Sequence, residues 1–259
     1  MEHIIQSSLI PAPIIWRDIQ DFPAEGKYPE LRLKGNDEKS MLVFATDSSG
    51  IPADQYRTVV KRLVSTKGIG HRLLITSPGA QDGKSTSAAN LAWSLSERGN
   101  KVLLMEFDLR RPRFREIFGA SPARVGLEAV LRGDSPLEDS ICRVSGTSLY
   151  LSSVVKPQED AAKILQTHYL KDSLTWAQKQ FDWLVFDAPP VLPVSDVVEL
   201  TSHTDSVLMI VRARSTKTAL LKRAIHALGE SLHFVVVNDS NANTADPYKY
   251  YGNYEIAGS

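Results

Sequence analysis

Along this chain, near-continuous apolar runs alternate with stretches in which apolar residues recur every three or four positions. The runs fall at residues 73–75, 101–108, 183–186, 207–211 and 234–237. The near-continuous run at 101–108 fits a strand covered on both faces, as in a parallel sheet. Between them, helices are expected at 54–64, with Tyr56, Val59, Val60 and Leu63 apolar, and at 84–96, with Ala88, Leu91, Ala92 and Leu95 on one side and Gly99 closing the end. Further helices are expected at 126–131, 161–178, from 195 onward and at 217–228. Residues 41–44 and 148–154 read as two more short strands. Strands alternating with helices at this spacing predict a doubly wound α/β fold, a mainly parallel sheet in a three-layer sandwich.

The same pattern divides the chain. Residues 1–40 hold Pro11, Pro13, Pro23 and Pro29 and no sustained period, which predicts an extended, partly disordered leader. Residues 41–239 carry the α/β pattern. Residues 240–259 have no apolar period and form a flexible tail, yet Tyr248, Tyr250, Tyr251 and Tyr254 lie there, half of the chain's eight tyrosines.

Composition removes several function classes. The 30 basic and 30 acidic residues balance, so no global field draws nucleic acid or anionic lipid. A single cysteine, Cys142, excludes an internal disulfide and fits a reducing compartment; it reads as core filler. The six histidines show no paired metal spacing. No apolar run approaches the ~18 residues a membrane helix needs. The start, Met-Glu-His-Ile-Ile-Gln, lacks the basic and apolar regions of a signal peptide. A cytoplasmic protein is expected, without nucleic acid as a partner.

The chemistry concentrates at residues 72–87. An apolar run breaks at Ser77-Pro78-Gly79, and Gly83-Lys84-Ser85-Thr86 opens a helix. A polyphosphate is densely charged and strongly hydrated, so it needs many donors at once. Backbone N–H groups of a small-residue loop and the positive end of a helix supply them. Gly79, Ala80, Gln81, Asp82, Gly83, Lys84, Ser85 and Thr86 are therefore the candidate nucleotide-binding residues. Lys84 would reach the β- and γ-phosphates of ATP, and Ser85 would hold Mg²⁺. The strict phosphate-loop pattern places Gly five residues before Gly83; Pro78 stands there and Gly79 follows, a variant loop.

Three carboxylates close strands: Glu106 and Asp108 after one, Asp187 after another. In open α/β sheets ligands bind at the carboxyl ends of strands, so all three are expected to converge with Lys84 on the γ-phosphate. Asp187, after four apolar residues, has the form of a Walker B acid holding Mg²⁺. Either Glu106 or Asp108 would orient or deprotonate an attacking hydroxyl.

Taken in order, residues 78–86, 102–112 and 184–196 resemble the Walker A, A-prime and B motifs of bacterial tyrosine kinases from exopolysaccharide and capsule assembly. The tyrosine cluster is a fourth match, and the likeness runs from about residue 40 to the end. The resemblance implies a P-loop fold, Mg²⁺ and ATP, and phosphorylation of tail tyrosines, usually on a neighbouring subunit. It also implies a ring-shaped oligomer and a transmembrane activator or co-polymerase, here on a separate chain and the sole route to the membrane. The family's oligomer contact is Glu followed by two Arg at three-residue steps on one helix face; the corresponding places here hold Asp54, Arg57 and Val60. Glu106 stands where the family has Asp, and Ala188 where it has a hydroxyl residue. Two alternatives remain open. Partition and division-site ATPases share the fold, but they carry a signature lysine where this chain has Gly79. A weakly catalytic or non-catalytic ATP-binding gate of the export complex is the other, kept open by Glu106.

Overall fold

The computed structural model describes residues 27–33, 41–119, 125–192 and 196–239. In chain order the elements are β1 (Glu30–Leu31), α1 (Val43–Thr46), α2 (Ile51–Ser65), β2 (Arg72–Thr76), α3 (Lys84–Ser96), β3 (Val102–Glu106), α4 (Phe114–Ile117), α5 (Leu127–Arg132), β4 (Ile141–Val144), β5 (Leu149–Ser152), α6 (Ala161–Leu165), α7 (His168–Ala177), β6 (Trp183–Asp187), α8 (Asp196–Thr201), β7 (Ser206–Arg212), α9 (Thr218–Leu228) and β8 (Leu232–Asn238). The strands form one sheet in the order β1-β4-β5-β3-β6-β2-β7-β8. All neighbours pair in parallel except β4 with β5, so β1 and β4 run against the other six.

Helices cover both faces, which is why the central strands carry no polar alternation. Leu73 and Ile75 of β2 face α3 in one core, with Val102, Leu104 and Val185; α2 and α4 add Val60, Leu63, Phe114 and Ile117. Leu74, Leu103, Met105, Leu184 and Phe186 point the other way, into a core shared with α5 to α9. Side chains alternate across a strand, so one apolar run serves both cores. The expected doubly wound, mainly parallel three-layer sandwich is the fold observed. β3 and β7 flank the β6–β2 pair, and the carboxyl ends of β3, β6 and β2 meet where the site lies.

Three local expectations are corrected and one strand is added. Residues 41–44, expected as a strand, lead into the short helix α1. Asn90 of α3 accepts the Val43 N–H at 2.9 Å and donates to the Met41 carbonyl at 2.9 Å, and Phe44 stacks on Trp93 with centroids 6.2 Å apart. A short apolar run carries no period that could announce this. The single helix expected at 161–178 is two, because Thr167 is extended and its hydroxyl donates to the carbonyls of Leu131 and Ile164, each at 2.9 Å. Strand β4 was not anticipated; it forms a hairpin with β5, and Cys142 fills its inner face, burial pushing the thiol up to about 12. The end of the expected leader is the sheet's outer strand: Arg143 N–H donates to Pro29 O at 2.8 Å, and Tyr28 packs edge-on against Tyr150. Residues 1–26, and the tail with Tyr248, Tyr250, Tyr251 and Tyr254, lie outside the described residues. Among the described residues no helix is long and apolar enough to cross a membrane.

Candidate nucleotide site

The site begins where β2 stops. The chain turns through residues 77–83 and enters α3, whose N-cap, Gly83, has φ +90°. A glycine has no side chain to cap the helix, so the N–H groups of the first turn have no partner from the N-cap. That is the arrangement a phosphate needs.

Distant segments brace the loop. The Ser77 carbonyl accepts from Val191 N–H at 2.8 Å, beyond β6. Asp82 accepts from Gly79 N–H at 3.2 Å and from the Thr216 hydroxyl at 2.8 Å, just before α9. Asn238, ending β8, donates to the Asp82 carbonyl at 3.1 Å. A side chain at Gly79 would come within 2.9 Å of Leu220. Ala80 and Gln81 form the exposed rim, and the Thr86 hydroxyl turns to Met41 Sδ at 3.4 Å. Thr216, Val191 and Asn238 carry no signal in the sequence as loop residues.

Lys84 leads α3 and is buried. Its ammonium donates to Ser85 Oγ at 3.0 Å and pairs with Asp108 Oδ2 at 2.9 Å and Asp187 Oδ1 at 3.4 Å. Burial works to lower the Lys84 pKa, but Asp187 and Asp108 outweigh it and hold the ammonium above its ordinary value. Asp108 lies just past β3, its other oxygen accepting from Arg111 N–H at 3.1 Å. Asp187 closes β6 and is fully buried; burial pushes its carboxyl up, against the pull of Lys84 and Ser85. Its Oδ2 is buried without a hydrogen-bond partner among the described residues.

Glu106 behaves differently. It stands opposite Asp187 in the β3–β6 register, but its carboxyl accepts backbone N–H groups of Arg113, Phe114 and Val154. Burial pushes it up to about 8, with the three N–H donors pulling the other way. Of the residues expected to converge, Lys84, Ser85, Asp108 and Asp187 are joined by bonds, and Glu106 is not part of that set. Arg110, from the basic loop after β3, donates to Asp196 at 3.3 Å and to the Glu159 carbonyl. On α2, Arg57 makes ion pairs of 2.9 Å with Asp54 and with Glu97 of the same chain.

A family model described as AAA domain matches residues 79–233, more than half of the chain. The chain belongs to this AAA-domain family. Among curated proteins it is similar to "Tyrosine-protein kinase YwqD" of Bacillus subtilis (strain 168), 27% identical over 224 residues, which cover 85% of this chain and 94% of that protein. Among solved structures it is similar to the VpsO kinase domain, at 27% identity and TM-score 0.67, over 74% of this chain and 97% of that one. The septum site-determining protein MinD of Pyrococcus horikoshii OT3, solved with Mg-ADP, shares the fold at 20% identity and TM-score 0.57, over 67% and 72% of the two chains. The likeness to bacterial tyrosine kinases therefore extends over most of this chain.

Proposed function

We propose that this chain is an ATP-dependent protein-tyrosine kinase that phosphorylates its C-terminal tyrosines, Tyr248, Tyr250, Tyr251 and Tyr254, and so regulates exopolysaccharide or capsule polymerisation and export. The observation that carries this reading is the Lys84 ammonium, held at 2.9 Å from Asp108 and 3.4 Å from Asp187 at the uncapped start of α3. Relatives named as tyrosine kinases support it.

The residues divide the work as follows. The amides of residues 79–86 and the positive end of α3 receive the phosphates. Lys84 leaves its carboxylates for the β- and γ-phosphates. Written as ions, Lys84, Asp108 and Asp187 sum to one negative charge, which repels a triphosphate unless a cation joins them. Ser85 and Asp187 would hold that Mg²⁺: the unpartnered, buried Asp187 Oδ2 suits a hard cation. No group of three His, Cys, Asp or Glu among the described residues makes a metal cage alone, which fits an ion completed by phosphate and water. When bound, Mg²⁺ neutralises charge on the phosphate oxygens. Asp108 orients the tyrosine hydroxyl and takes its proton as the phenol oxygen bonds to the γ-phosphorus; the bond to the ADP oxygen breaks.

In this reading the protein is cytoplasmic and is recruited to the inner face of the plasma membrane by a transmembrane activator or co-polymerase on another chain. Asp54 and Arg57 lie on the start of α2 as candidate contacts in a ring, where Arg57 would exchange its Glu97 pairing for a neighbour's. Incubation with Mg²⁺ and ATP, alone and with a cytoplasmic peptide of the activator, followed by mass spectrometry of the tail, tests the proposal. Tail phosphotyrosine is expected in the wild type and none in Lys84→Met. A wild-type tail that stays unmodified in both conditions, with ATP still bound, would make the chain a nucleotide-gated scaffold instead.

A further inference from the structure

β3 ends in a carboxyl that the phosphate site leaves unused. Glu106 is fully buried. Its Oε1 accepts the N–H groups of Arg113 and Phe114, and its Oε2 accepts that of Val154 at 2.9 Å. The two oxygens therefore grip two separate segments: the arginine loop that leads from β3 into α4, and the stretch that leaves β5. A second buried carboxylate continues the pattern, because Glu128 accepts the N–H groups of Val155 and Lys156 at 3.0 and 2.9 Å. Successive amides at 154, 155 and 156 thus all end on carboxylates. The Gln158 N–H then donates to the Leu109 carbonyl at 2.8 Å and ties the same two segments together again.

We propose that Glu106 is a positioning residue: a two-handed clamp that fixes the arginine loop against the end of β5 and thereby sets where Asp108 stands relative to Lys84. The chain leaves Glu106 and returns to its side chain at Arg113 and Phe114, and Asp108 lies inside the ring so closed. Within that ring Asp108 is oriented from both sides, by Arg111 N–H at 3.1 Å and by Lys84 at 2.9 Å. Both Glu106 oxygens are taken by backbone, so proton transfer falls to Asp108. The length of the side chain is part of the device. An Asp at 106 is one methylene short of reaching both segments. A Gln keeps one acceptor oxygen but presents an NH₂ group, which has no acceptor for Val154 or its counterparts. The effect on phosphoryl transfer rests on the kinase reading above; the clamp itself does not.

The test is single-amide hydrogen exchange by NMR on the full chain, run beside the tail-phosphorylation assay. In the wild type, the amides of Arg113, Phe114 and Val154 are expected to exchange as slowly as strand amides, although Arg113 sits in an exposed loop. Hydrogen bonds to a buried carboxyl of this kind correspond to about two- to tenfold in exchange. Glu106→Gln is expected to speed exchange by that factor on one hand of the clamp, and Glu106→Asp on both. Both variants should also lower kcat, by up to about 10²-fold for a displacement near 1 Å, with the KM for ATP changed less. Asp108→Asn should stop transfer and leave the three amides protected. Loop-like exchange of these amides in the wild type overturns the clamp without reference to any variant. So does a Glu106→Asp variant whose transfer matches or exceeds the wild type, since that is the behaviour of a direct proton acceptor. If the wild type transfers no phosphate at all, the kinase reading falls and the exchange data alone decide the clamp.

Discussion

Gly83 meets two demands at one position. Its φ of +90° lies where a side chain is strained, and a Cβ there would collide with the Asn238 amide that holds the Asp82 carbonyl. Gly83→Ala is therefore expected to weaken nucleotide binding at least tenfold, because the strain of about 1–2 kcal/mol and the displaced Asn238 both deform the loop that must cradle phosphate. Calorimetric titration with Mg-ADP reads this out, and an unchanged affinity would refute it. Lys84, Asp108 and Asp187 were each legible as strand-end or loop residues, and the structure places them together. Glu106 was equally legible, and its neighbours alone decide that it serves the backbone. Its partner Val154 lies 48 positions away, in a segment that no motif marks.

At the scale of elements, the strands were the most legible part, since a run buried on both faces leaves a dense apolar signal. The short or exposed elements were not. β1 has two residues, and α1 exists because Asn90 and Trp93 of α3 receive it. One side-chain pair shows how neighbouring strands are locked at the end away from the site. Arg72, opening β2, donates its N–H to Asp205 Oδ2 at 2.9 Å and its Nε to Oδ1 at 3.0 Å, just before β7. Burial pushes the Asp205 carboxyl up, but the Arg72 bonds outweigh it and hold the group below its ordinary value. A depressed carboxyl contributes stability above its unfolded pKa and loses it as pH falls through the folded one. Asp205→Asn is expected to cost about 1 kcal/mol at pH 7, with the gap to wild type closing below about pH 4. Urea melts across that range check it; a gap that stays constant into acid would show that the ion pair is not its source.

For the whole molecule, the balance of 30 basic and 30 acidic residues means that tail phosphorylation changes net charge from zero. Each phosphate adds about −1.5 to −2 at neutral pH, so four modified tyrosines add about −6 to −8. In the proposed ring these charges are repeated on every subunit and repel, and the assembly is expected to dissociate as the tail is modified. Light scattering of the same preparation before and after ATP treatment measures this, and equal masses for the two forms would rule it out.

The sequence by itself determined the strand–loop–helix at residues 72–96, the apolar runs that became the central strands, and the carboxylates that close two of them. These depend on local pattern: burial on both faces, small residues at a turn, a lysine at a helix start. Only the tertiary structure decided which of those carboxylates meets Lys84, which one is spent on backbone amides, and what holds the loop open. Those outcomes depend on groups brought together by the order of strands in the sheet, such as Asn238 and Asp82, which are 156 positions apart in the chain. A contact of that kind leaves no period in the sequence, because neither residue constrains the chain near the other.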